Sequence, residues 1–376
     1  MMEKMQPLNL VFCIDDKFAV HLAALMRSIL SNTDSQISWH IFYAALSSAN
    51  QMKLTQTSGN GNHIKFYQIE DETFSSAQIS KDFSDRLSVV TYFRLLIPQI
   101  LASINTKVLF LDADMIVNAD VSDLFAIDLE DNAAGVVVDS LVAKGSHSQT
   151  LGLKSHSYFN AGMLLIDLPM WRSKQITETA MRMVDNGTDY KFNDQDILNI
   201  TLDSNVMVLD GAWNIQQSCL EALSKESEVK IVHFNGAEKP WQHSSIHPFT
   251  HLYRKYKSET VFADVELEHY LDEHDHALIK KVQDKNIRHL YIYGAGQKGR
   301  RVARYLQHFF SDIHIEGMLD KSPKIDTFFK IPVLASDISL KNIPVIVASA
   351  AFEKEIVALL GQKKVPESNI ISITDQ

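Results

Sequence analysis

Cysteine is nearly absent: the 376-residue chain has two, Cys13 and Cys219. Two thiols cannot build a disulfide framework, and they argue against a Cys-rich zinc site. A reducing, cytoplasmic location is the expectation. Glycine (14) and proline (9) are also sparse, which excludes collagen-like and Pro/Gly-rich disordered chains. No run reaches the roughly 18 uninterrupted apolar residues of a membrane span. MMEKMQPLNLVFCIDD has a short apolar run without a small-residue cleavage site, so it reads as a first buried strand rather than a signal peptide. An excess of positive charge is missing too. Lys and Arg number 36 against 46 Asp and Glu, a formal net charge of −10. Nucleic-acid binding driven by phosphate contacts is therefore disfavoured. What remains is an ordinary soluble composition, 45% hydrophobic and 22% charged, long enough for two domains or three.

The apolar pattern alternates strand and helix. Leu8–Ile14 reads as a strand that ends at Asp15-Asp16. A helix with apolar residues three and four apart follows over 18–30. Further strands are read at 38–44, 63–69, 107–111, 135–138 and 161–166, and helices at 48–57, 90–97, 171–185 and 194–202. This order predicts an α/β fold: a mixed, mostly parallel sheet with flanking helices. The composition shifts after Trp241, and residues 259–286 read as a polar helical connector. A second β/α pattern starts at His289. The expected organisation is a domain over 1–258, the connector 259–286, and a small α/β domain over 287–376.

The most informative run is KVLFLDADMIV (107–117). An apolar strand ends in two aspartates that flank Ala113. Ligands of open α/β sheets collect at the carboxyl ends of strands. Two adjacent carboxylates there repel and lose hydration unless a cation or donors satisfy them. A hard divalent ion does so and keeps sites for phosphate oxygens. The other reading is a solvated turn with Asp114 capping the next element. Downstream, VKIVHFNGAEKPW places His233 after a short strand, then Gly236 and Lys239. His233 is either a ligand for an Mn²⁺-type ion or a satisfied, partly buried histidine. Lys239 has the charge to neutralise a phosphate.

Together these pieces resemble family 8 of the retaining glycosyltransferases, above all the bacterial galactosyl- and glucosyltransferases that build lipopolysaccharide. VFCIDDKF (11–18), TYFRLLIP (91–98), KVLFLDADMIV (107–117), YFNAGMLLIDLPMWR (158–172), FNDQDILN (192–199) and HFNGAEKPW (233–241) follow the family's order. The likeness covers about residues 8–255. It implies a GT-A fold, a UDP-sugar donor and a bound Mn²⁺, with Mg²⁺ as the alternative. By this resemblance Asp112, Asp114 and His233 hold the metal. Asp15 binds uracil and ribose, and Phe18 stacks on the base. Lys17 stands where close relatives often have Asn. Arg94, Ala113, Asn160, Ala161, Gly236 and Lys239 contact the donor's sugar or phosphates. Asp194, Gln195 and Asp196 lie near the reacting carbon, with Asp194 on donor hydroxyls and Gln195 under the reactive face. The residues themselves leave Asp194 open to a second role as a helix N-cap. The implied partners are UDP-glucose or UDP-galactose and a saccharide or lipid-linked saccharide acceptor. A peripheral place at the inner membrane face would then rest on HLYRKYK (251–257), the one basic-aromatic run, which reads equally as a solvated helix face.

In the C-terminal stretch, HLYIYGAGQKG is strand, Gly turn and helix start. Gly294, Gly296 and Gly299, with Asp320 after the next strand, meet the dinucleotide fingerprint's context. The stretch looks like the small Rossmann-like module attached to some sugar-modifying enzymes. NAD or another nucleotide is one expectation for it, and a docking or structural role the other. His243, His247 and His251, and His269, His274 and His276, are expected to be solvated surface. Two competing functions remain: a non-catalytic nucleotide-sugar-binding protein, and an NAD-linked sugar-modifying enzyme centred on this module.

Overall fold

The computed structural model describes residues 6–80, 89–155, 157–222, 228–236, 238–269, 271–340 and 342–373. The chain forms two compact units. The first is Met1–Ala237 with Pro248–Val265, and the second is Glu238–His247 with Glu266–Gln376. The segment 259–286 is thus shared between them, and its helix Glu273–Asp284 belongs to the second.

The first unit is built on β1 (Leu8–Ile14), β2 (Ile37–Tyr43), β3 (His63–Gln68) and β4 (Lys107–Leu111), all mutually parallel. A short β5 (Met115–Val117) follows β4, then β6 (Ala134–Val138), β7 (Phe159–Asp167), β8 (Val206–Val208) and β9 (Ile231–His233). The main sheet runs β3-β2-β1-β4-β7-β6-β8. β7 is antiparallel to both β4 and β6, so the sheet is mixed, as the sequence pattern predicts. The continuous apolar strands are explained by burial on both faces. Leu10, Phe12, Ile14, Leu109 and Leu111 enter one core, while Val11, Val108 and Phe110 enter the other. Each such side chain withdrawn from water contributes about 1.5–3 kcal/mol.

Two expected helices take a different form. Residues Val89–Leu96 make a 3-10 helix, and Pro98 lies in the first turn of the short helix Ile97–Ile100 rather than ending one. A first-turn position suits proline, because no intrahelical partner awaits its missing N–H. The expected helix over 171–185 is two: Leu168–Ser173, capped by Asp167, and Ile176–Asp185, with Gln175 between them at φ 53°.

The second unit adds β10 (His289–Tyr293), β11 (His314–Asp320), β12 (Thr327–Phe328), β13 (Ile331–Ala335), β14 (Val345–Val347) and β15 (Ile370–Ile371), ordered β12-β13-β11-β10-β14-β15. All its pairs but β12–β13 are parallel. The strand order reverses at β10, and the Gly turn follows that strand. Among the described residues no helix is long and apolar enough to cross a membrane.

Candidate active site

β4 ends at Leu111, so Asp112 and Asp114 fall at the carboxyl edge of the main sheet. The antiparallel β5–β9 pair sets Met115 opposite His233. That register is why a histidine 119 positions beyond Asp114 meets it (233 − 114). His233 Nε2 lies 3.3 Å from Asp114 Oδ1 and 3.9 Å from Asp112 Oδ2. Asp112, Asp114 and His233 are one of the groups whose ligand atoms lie within 4.8 Å of one another. A Cβ on Gly162 would sit 2.4 Å from His233 Cε1 and 2.7 Å from Asp112 Oδ2, so no side chain fits there without dispersing the cluster. On its far side, His233 Nδ1 is 3.0 Å from Asn214 Oδ1. The amide oxygen can only accept, so Nδ1 carries a proton and Nε2 is the ring atom presented to the carboxylates. Two oxygen ligands and one oriented imidazole suit a Mn²⁺-like ion.

Arg94 joins this cluster to a second one. Its Nη2 donates to Asp112 Oδ1 at 2.9 Å and its Nη1 to the Ala161 carbonyl at 2.7 Å. Its Nε lies 3.0 Å from Asp194 Oδ2, yet the N–H is aimed at the Thr91 carbonyl, 2.9 Å away. The Asp194 contact is therefore a charge contact without a hydrogen bond. Burial alone would lower the guanidinium's pKa, but Asp112 and Asp194 outweigh it and hold the group above its usual range. The cation also lies 4.6 Å from the centre of the Phe110 ring.

Asp194 is the second residue of the helix Asn193–Thr201, whose N-cap is Phe192, so it does not fill the capping role its sequence position allows; it is 4% exposed. Thr91 Oγ1 donates to its Oδ1 at 2.6 Å, whereas Oδ2 is buried with no hydrogen-bond partner. Burial pushes its pKa up to about 6, against the pull of Arg94 and Thr91. Gln195 is tightly held. Its Oε1 accepts from the Ala161 N–H at 3.0 Å and from Asn160 Nδ2 at 3.3 Å. Its Nε2 donates to Asp139 Oδ2 and reaches Tyr158 Oη, both at 3.3 Å. Asn160 Oδ1 accepts from Asn214 Nδ2 at 3.0 Å, which ties the Gln195 network to His233. A register shift between Val136 and Val137 lets β6 pair with Asn160; such bulges re-aim side chains. Asp196 has no exposed surface, and Tyr158 Oη, the Phe192 N–H and His147 Nε2 surround its carboxylate. Any part it has in the chemistry acts through those neighbours.

The other expected residues are placed as follows. Asp15 Oδ1 accepts from the Phe18 N–H at 3.1 Å, Phe18 stands edge-on to His21, and Lys17 is exposed. Gly236 follows β9, and Ala113 is buried between the two aspartates. Lys239 belongs to the second unit, where its ammonium lies 5.6 Å from the centre of the Trp241 ring. In HLYRKYK, Leu252, Tyr253, Tyr256 and Lys257 are buried, which leaves His251 and Lys255 as its fully exposed residues. His21 Nδ1 meets Tyr253 Oη at 2.7 Å, and Lys257 Nζ donates to the Ala263 carbonyl at 2.9 Å. The aromatic half of that run is thus core of the first unit.

In the second unit the Gly turn is satisfied from within. Asp320 Oδ2 accepts the Ala295 N–H at 3.1 Å, and its Oδ1 accepts the Ser322 N–H at 2.9 Å. A Cβ on Gly299 would fall 1.8 Å from the Gly294 carbonyl oxygen, so helix and turn need that glycine to pack. The sequence reading gave no role to Thr91, Asp139, Tyr158, His147 or Asn214. Thr91 was findable, three residues before Arg94 and so on the same side of a 3-10 turn. Asn214 carries no motif signal.

A family model described as "Glycosyl transferase family 8" matches residues 9–245. The lipopolysaccharide 1,3-galactosyltransferase of Salmonella typhimurium is 26% identical over 67% of this chain and 78% of its own. The galactosyltransferase LgtC, solved with donor and acceptor sugar analogs, superposes with TM-score 0.59 at 25% identity, covering 71% of this chain and 98% of its own. The glycosyltransferase GlyE of Streptococcus pneumoniae matches in fold over 99% of this chain and 93% of its own, with TM-score 0.53 at 16% identity.

Proposed function

The chain belongs to glycosyl transferase family 8, and from that membership we propose that it is a retaining hexosyltransferase. It moves glucose or galactose from a UDP-sugar to a saccharide acceptor in lipopolysaccharide or another surface glycan. The acceptor class rests on the lipopolysaccharide galactosyltransferase among its relatives. The observation that carries the reading is the Arg94 junction. One buried guanidinium contacts Asp112, a candidate metal ligand, and Asp194, whose buried Oδ2 meets its charge but accepts no hydrogen bond.

Asp112, Asp114 and His233 would hold a divalent cation, Mn²⁺ by their mixed donor set, whose Lewis acidity offsets charge on the departing diphosphate. Asp15, Lys17 and Phe18 receive uridine, while Gly236 meets the phosphates. Asp194 Oδ2 accepts from a donor-sugar hydroxyl, which gives that orphaned oxygen its partner. In the transfer the anomeric C–O bond to UDP breaks and a C–O bond to the acceptor forms on the same face. The acceptor's proton passes to the departing phosphate oxygen. A covalent alternative would need Gln195 Oε1 as nucleophile, but that oxygen already accepts from Ala161 and Asn160, and amides are weak nucleophiles. Asp196 is a positioning residue behind Gln195. The test is UDP release from a panel of UDP-sugars with Mn²⁺ and with chelator. One donor hydrolysed only with metal supports the reading. Absence of both release and calorimetric donor binding across the panel overturns it.

A further inference from the structure

The fold gathers histidines that are scattered in the sequence. His243 comes from the Glu238–His247 segment, His269 follows it by 26 positions (269 − 243), and His308 lies in the last turn of the helix Gln297–Phe309. All three are in the second unit. A short parallel bridge explains the first pairing: the Glu268 N–H donates to the Trp241 carbonyl at 2.8 Å, and the His243 N–H to the Glu268 carbonyl at 2.9 Å. This puts the His243 and His269 rings face to face, with centroids 4.0 Å apart and 17° between planes. His308 closes the group at 4.3 Å from His269 and 4.9 Å from His243. One ring nitrogen from each lies within 4.8 Å of the others.

We propose that His243, His269 and His308 form a second metal site, for a borderline-soft transition ion of the Zn²⁺ class. Three imidazoles with no carboxylate among them select Zn²⁺ over Mn²⁺ or Mg²⁺. The site is therefore chemically distinct from Asp112, Asp114 and His233, where oxygen ligands dominate. Tetrahedral zinc needs its nitrogen ligands about 3.3 Å apart. The His243–His269 stack keeps the two rings' in-plane lone pairs nearly parallel, so binding turns one ring out of the stack while exposed His308, at a helix end, draws in. A small cavity beside the group is lined by His243, Glu268, His269, Arg301, Arg304 and Tyr305, among others. Metal ligation needs neutral imidazole. Of the two arginines, Arg301 is already paired with Asp272 and Asp275. Arg304 lies 4.0 Å from the centre of the Phe329 ring and donates to Gln307 at 2.9 Å. Glu266 and Glu268 supply charge of the favourable sign. The role of the ion is structural: it fastens the 238–247 segment, which carries Lys239, to the helix that follows the Gly turn.

The test uses the full chain, stripped with chelator and then given Zn²⁺ or Co²⁺. The expected result is a tetrahedral Co²⁺ visible spectrum and a Zn²⁺-dependent rise in Tm, both lost in His308→Gln and in His269→Gln. His308 is exposed, so its variant keeps the test valid if His269→Gln fails to fold. Asp114→Asn should leave the Co²⁺ spectrum in place, and His308→Gln should leave Mn²⁺-dependent UDP release in place. Equal Zn²⁺ content and equal Tm response in wild type and His308→Gln would overturn the site. So would a Co²⁺ spectrum that disappears in Asp114→Asn instead.

Discussion

The two units each place aspartate at the end of a buried parallel strand, and the outcomes are opposite. After β4, Asp112 and Asp114 face each other and His233, and the nearby Asp194 keeps a buried oxygen with no hydrogen bond. After β11, both oxygens of Asp320 accept backbone N–H groups of its own unit. The first arrangement leaves one buried acceptor, Asp194 Oδ2, without a hydrogen bond, while the second gives each oxygen of its aspartate a donor. A buried acceptor without a donor beside a strand end points to a ligand, whereas backbone N–H groups gathered on the strand-end aspartate point to a turn. In the Gly294-x-Gly296-x-x-Gly299 turn, which satisfies a sequence fingerprint, Asp320 holds the turn through the Ala295 and Ser322 N–H groups.

The contrast breaks most visibly at the metal ligands. Asp112→Asn or Asp114→Asn should lower UDP release by about a hundredfold or more, the scale of losing one group that stabilises developing charge. Circular dichroism should show a folded protein. Near-normal turnover in either variant would remove the distinction between the two strand ends. A smaller effect is expected one step back. Asn214→Ala frees the His233 tautomer, and loss of such an orienting partner costs about 10–100-fold in metal affinity. The Mn²⁺ concentration for half-maximal activity should rise by that factor while kcat at saturating metal changes little. A fall in kcat with unchanged metal dependence would mean that Asn214 acts through Asn160 and Gln195 instead. In the second unit Asp320→Ala leaves the Ala295 and Ser322 N–H groups without their acceptor. It should cost about 1 kcal/mol of stability per hydrogen bond, read in denaturant melts, with UDP release unchanged.

Much of the first unit was legible in the sequence because each motif is contiguous. KVLFLDADMIV announces strand, turn and ligand pair in eleven residues. What stayed hidden depends on long-range register. The β5–β9 pairing that brings His233 to Asp114 is too short to show a period. Asn214 has no pattern of its own, and its meaning comes from sitting between His233 and Asn160. The histidines show the same limit more sharply. Spacing groups His243 with His247 and His251. The fold groups His243 with His269 and His308, because a backbone bridge and a helix end decide the neighbours. His247 is buried and His251 belongs to the other unit.

Acid titration gives the smallest effect and tells the units apart by sign. Asp194 has its pKa raised from 3.8 to about 6 by burial. The folded state then holds a proton that the unfolded state has released, so this group's contribution falls as pH rises from about 4 to 6. Asp272 in the second unit is the reverse. Burial opposes it, but Lys298, the Asp275 N–H and Arg301 bring its pKa down to about 2. Its contribution is fully present above pH 4 and is lost as pH falls toward 2. Asp194→Asn should therefore narrow its stability deficit, or gain on wild type, between pH 4 and 6. Asp272→Asn should show a deficit at pH 6 that shrinks below pH 4. Both differences follow from denaturant midpoints across pH. If the two variants responded with the same sign, the carboxylate at the first site would be as well satisfied as the one at the second. The unmet oxygen assigned to the donor sugar would then have no basis.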